Sequence, residues 1–178
     1  MKTLGEALQE TRILSPVRRK LRQLGFPTET YWVQLAILRG CHHYQEPGPP
    51  VIDPGPDRIS NLEIAAALLS NESEYNPTFV RVAAQLVSGG STSDAILRIA
   101  NMERLHTPLR HIAEAGKAIE PDNSFWTTLL KNLPSRRPPE GILPHRDRFT
   151  TEAPLHAGQL RMKRSKLWLR PKGCNGNE

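Results

Sequence analysis

Apolar residues recur along this chain at spacings of three and four, in short blocks that Pro, Gly and capping residues keep apart. The first clear block follows Ser15-Pro16, a cap-then-proline helix start. Val17, Leu21 and Leu24 then share one face. Arg18, Arg19, Lys20 and Arg22 take the other sides, and Gly25 closes the helix. A second helix starts at Thr28, with Tyr31, Leu35 and Leu38 as its stripe, Trp32 and Ala36 beside it, and Gly40 as its stop. The short joint Gly25-Phe26-Pro27 lets the two helices pair as a hairpin. Residues 1–14 are weakly patterned, with Leu4 and Leu8 four apart.

The periodicity fails from Cys41 to Asp57. There Gln45-Glu46-Pro47-Gly48-Pro49-Pro50 and Asp53-Pro54-Gly55-Pro56-Asp57 read as an extended connector stiffened by proline. It resumes at Ser60-Asn61-Leu62-Glu63, a capping box in which Ser and Glu side chains satisfy orphan amides reciprocally. Leu62, Ala65, Ala66 and Leu69 form the face that follows. Asn76-Pro77 opens the next helix, with Phe79, Ala83, Leu86 and Val87 inward and Gly89-Gly90 at its end. Ser91 and Asp94 open another over Ile96, Ile99 and Ala100. Thr107-Pro108 starts a helix over Leu109, Ile112 and Ala113. Asp122-Asn123 leads into Phe125, Trp126, Leu129, Leu130 and Leu133, stopped at Pro134.

No segment alternates with period two, and no hairpin turn joins β-branched runs. The pattern predicts an all-α fold: a small bundle of short helices in helical-hairpin packing, with an extended basic C-terminal segment. It divides the chain into an N-terminal helical hairpin (1–40), a Pro/Gly-rich connector (41–58), a helical core (59–134) and a basic, Pro-rich, extended tail (135–178). The 38% hydrophobic content and the clustering of the sixteen prolines agree with helical segments joined by connectors. No repeat of fixed period recurs, so a helical-repeat array is not predicted.

Charge changes this picture more than composition does. Residues 1–40 carry seven Lys/Arg against three Asp/Glu, residues 41–134 seven against eleven, and residues 135–178 ten against four. An acidic middle between two basic ends points to a polyanion or a charge-matched protein as partner. The densest basic stretch is Arg161-Met162-Lys163-Arg164-Ser165-Lys166-Leu167-Trp168-Leu169-Arg170-Pro171-Lys172, with six cations beside one indole. Cations release counterions from phosphates, and an indole stacks on an exposed base. The basic face of the first helix is a second place for a phosphate backbone to lie.

Other chemistry is weakly signalled. Cys41-His42-His43, Glu103 with His106, and His106 with His111 do not supply the three or four converging ligands that a metal needs, so no metal or other cofactor is expected. The two cysteines fit no zinc spacing and suit a reducing compartment. There is no phosphate loop with its lysine, no nucleophile elbow and no zinc-protease helix, so an enzyme is not expected. The pair 62–69 and 77–87 resembles a helix-turn-helix only loosely: the joint is long, and Arg81, Thr78 and Gln85 are its sparse polar readers. No apolar leader follows Met1, and the apolar run Ile64–Leu69 is too short to span a bilayer, which predicts a cytoplasmic protein that does not engage membranes.

These readings converge on a non-enzymatic, nucleic-acid-associated accessory protein. Arg18, Arg19, Arg22, Arg161, Lys163, Arg164, Lys166, Arg170 and Lys172 would contact phosphates of DNA or RNA without regard to sequence, and Trp168 would stack. The alternative is a protein-interaction adaptor without a nucleic-acid role. It would hold a partner segment in a groove between helices, with Phe125 and Trp126 near the rim, and dock through Leu167–Leu169.

Overall fold

Capping and burial together account for where each helix begins and ends. The computed structural model describes residues 15–41, 48–70, 76–89 and 92–135. These residues form seven helices and no strand: α1 (Pro16–Gln23), α2 (Glu29–Leu38), α3 (Asn61–Leu69), α4 (Pro77–Ser88), α5 (Ser93–Glu103), α6 (His106–Ile119) and α7 (Ser124–Asn132). The fold is all-α, as the periodicity predicts. Residues Arg161–Lys172 lie outside the described residues.

The cap-then-proline starts form as expected. Ser15 Oγ accepts the Arg18 amide at 3.1 Å, and Asn76 Oδ1 accepts that of Thr78 at 2.9 Å. Both halves of the capping box close: Ser60 Oγ accepts the Glu63 amide at 3.1 Å, and Glu63 Oε2 accepts the Ser60 amide at 2.8 Å. Asn123 caps α7 through the Phe125 amide. Two starts differ. The hydroxyl of Thr92 caps α5, and Ser91 lies outside the described residues. Helix α6 begins at His106, with Leu105 at its cap position and no side-chain cap, so Thr107-Pro108 sits inside the first turn. Arg104, left-handed at φ 58°, turns the chain there, and burial of Leu105 fixes the junction.

The core is built around α3 and α4, which pack on each other. Seven residues of α3 are buried, and α4 is enclosed on every side from Val82 to Val87. A helix apolar all round belongs inside a core. α1 packs on α3, and α2 on both α3 and α4. α5 meets α3, and α6 meets α4, while α7 closes against α5 and α6. The two N-terminal helices are therefore docked on the core, each packing on it more than on the other: Val17, Leu21, Trp32, Leu35 and Ala36 join the same apolar cluster as Ile112 and Leu129. Gly116 lets α6 and α7 approach, because a methyl there would overlap the Trp126 indole.

The connector has no regular structure over residues 48–55, yet it is pinned. Arg39 grips Asp53 through Nε at 2.8 Å and Nη2 at 2.7 Å, and its Nη1 donates to Ile59 O at 2.5 Å and Asn61 Oδ1 at 3.0 Å. Two parallel N–H bonds to one carboxylate hold a plane as well as a distance. Asp53 Oδ1 also accepts the Gly55 amide. The hydrogen bonds from Arg39 outweigh desolvation and hold the Asp53 carboxyl below its ordinary pKa.

Candidate nucleic-acid interface on the first helix

Helix α1 carries four cations on eight residues, and its neighbours sort them into two kinds. Its apolar side, Val17 and Leu21, faces the core. Arg18 lies three residues before Leu21 and goes inward with it. Only 3% of its surface is exposed. Its Nε donates to Ala67 O at 3.0 Å and its Nη2 to Ser70 O at 3.2 Å. Nη1 pairs with Glu29 Oε1 at 3.3 Å, and the guanidinium lies 5.1 Å from the Trp32 ring centroid. Ala67 and Ser70 are at the C-terminal end of α3, where carbonyls lack helical partners and the helix dipole favours a cation. This corrects one expectation: Arg18 is a structural cation that caps α3 from another helix, and its guanidinium is turned away from any phosphate at the surface.

Lys20 is half-turned to solvent but paired, with Nζ 2.6 Å from Glu63 Oε1. Glu63 thus serves the capping box and α1 together. Burial opposes its charge, but bonds from Lys20 and from the Ser60 amide, with the Lys20 charge, hold its pKa below the ordinary value. Arg19 and Arg22 are the exposed cations of α1, and neither has an ion-pair partner among the described residues. Their spacing of three makes them neighbours on the helix surface. The start of α1 is already satisfied: Ser15 caps it, and Glu103 Oε1 accepts the Val17 amide at 3.0 Å. An anion on α1 would therefore meet its side, not its N-terminus. Arg161, Lys163, Arg164, Lys166, Trp168, Arg170 and Lys172 lie outside the described residues.

The spacing signal that Arg18 shares a face with Leu21 was present in the sequence. Its partners were not, because Ala67 and Ser70 are about fifty residues away and contribute only backbone oxygens. The contact between Glu103 and Val17 has no signal either, since it joins residues 86 apart.

The helix-turn-helix reading does not survive the packing of α4. Gln85 is 4% exposed, and Arg81 bonds within its own helix to Pro77 O and Thr78 Oγ1. A helix enclosed from Val82 to Val87 cannot enter a groove. Trp126 is likewise not at a rim: it is 1% exposed, donates its indole N–H to Glu120 Oε2 at 2.8 Å and meets Phe125 edge-on at 4.7 Å. Among the described residues, Leu62, Ala66, Leu69, Val87, Ile99 and Leu109 meet without space for a water molecule. Among the described residues the large exposed apolar side chains are Leu38, Ile52 and Met102.

Glu103 is committed to the Val17 amide, and His106 Nε2 lies 2.8 Å from Asn101 Oδ1, so they do not converge on a shared ligand. No group of three His, Cys, Asp or Glu side chains suited to a metal occurs among the described residues, and Cys41 is buried. Among those residues no helix is long and apolar enough to cross a membrane. No protein-family model, curated protein or solved structure matches the chain.

Proposed function

We propose that this is a non-enzymatic, nucleic-acid-associated accessory protein whose helical bundle holds α1 as a rigid, sequence-independent contact for phosphate backbone, with the basic segment Arg161–Lys172 as a second contact. One observation carries the reading. Helix α1 is anchored by Arg18 and Lys20, while Arg19 and Arg22 stand exposed and unpaired among the described residues. Exposed arginines on an anchored helix match phosphate oxygens without ordering a flexible arm. Such contacts position a protein on a backbone and carry no base code. In this reading the protein works in the cytoplasm.

The test is fluorescence anisotropy of the full chain with mixed-sequence duplex DNA and with single-stranded RNA over a salt series. Binding should weaken steeply with salt. Arg19→Gln with Arg22→Gln should make the log–log slope for duplex DNA shallower by about 2, one unit for each lost phosphate contact. Undetectable binding at low salt, or binding insensitive to salt, overturns the proposal.

A further inference from the structure

We draw no further inference here: the strongest candidate, the exposed apolar patch that Pro50 and Ile52 make on the proline-rich connector pinned by the Arg39–Asp53 clamp, carries nothing because nothing in the structure shows what covers it.

Discussion

Replacing Arg18 by leucine should cost the fold far more than replacing its neighbour Arg19. The substitution keeps an apolar stem in place but removes every guanidinium contact. Ala67 O and Ser70 O each lose a donor inside the protein, at about 1–3 kcal/mol for a buried group left unpaired. The Trp32 face loses a cation contact of about 0.5–2 kcal/mol. Glu29 is roughly one-third exposed, so its stranded charge is largely rescued by water and adds little. Leucine recovers part of this by burying its own methyl groups, about 1–2 kcal/mol. The net loss is about 1.5–6 kcal/mol, a large share of the roughly 5–15 kcal/mol that holds a domain together. Arg18→Lys should fall between, because one ammonium cannot span both carbonyls and also lie flat on an indole. Arg19→Leu should change stability by about 0.5 kcal/mol or less, as exposed substitutions do. The assay is guanidinium unfolding of each full-length variant at neutral pH, compared at matched slopes so that a midpoint shift reports stability. Equal losses for Arg18→Leu and Arg19→Leu would refute the inward assignment of Arg18.

Three further outcomes follow from the packing. Gly116→Ala gains about 1 kcal/mol of helix propensity but drives a methyl into the Trp126 indole at about 1–3 kcal/mol, so a net destabilisation with altered tryptophan fluorescence is expected, and Trp126→Leu in the same chain should relieve it. Gln85 Oε1 is buried without a hydrogen-bond partner among the described residues, so Gln85→Met should raise stability by about 1 kcal/mol while Gln85→Glu lowers it sharply, measured by thermal unfolding. Asp53 and Glu63 have folded pKa values below their unfolded ones, so their contribution is present at neutral pH and is lost as pH falls from about 5 through those folded values. The stability gap between wild type and Asp53→Asn should therefore narrow with acidification; a gap that widens below pH 5 would contradict the Arg39–Asp53 clamp.

Helix existence was legible because its signals are local. Ser15-Pro16, Asn76-Pro77, the Ser60–Glu63 box and Asn123 all act within one turn, and each caps the helix expected of it. The start of α6 was misread because Thr107-Pro108 looks like the same signal. There the tertiary term wins: burial of Leu105 and the left-handed Arg104 begin the helix earlier. The connector shows the same division. Its prolines and glycines do exclude regular structure, but nothing local reveals that Arg39 will reach across to Asp53 and the start of α3.

The cations of α1 mark where local reading stops and why. On a helical projection Arg18, Arg19, Lys20 and Arg22 form one basic flank, and charge counting gives them one role. What separates them is supplied by α3. Its C-terminal carbonyls draw in Arg18, and Glu63 in its first turn draws Lys20. Both anchors depend on a formed α3, since they consist of a helix end and a capped helix start. The sorting is thus a property of the docked pair of helices, and an isolated α1 would not show it. It also gives the two exposed arginines a different physical character from those of a flexible basic segment. Arg19 and Arg22 sit on a helix whose position is held at Arg18, Lys20 and the Val17 amide, so binding need order only two side chains. Loosening the anchor should therefore weaken phosphate contact even where every exposed charge is kept. Lys20→Gln with Glu63→Gln tests this, since it removes the ion pair without changing the net charge: an affinity loss accompanied by faster amide exchange in α1 supports preorganisation, and unchanged exchange with unchanged affinity removes it from the account.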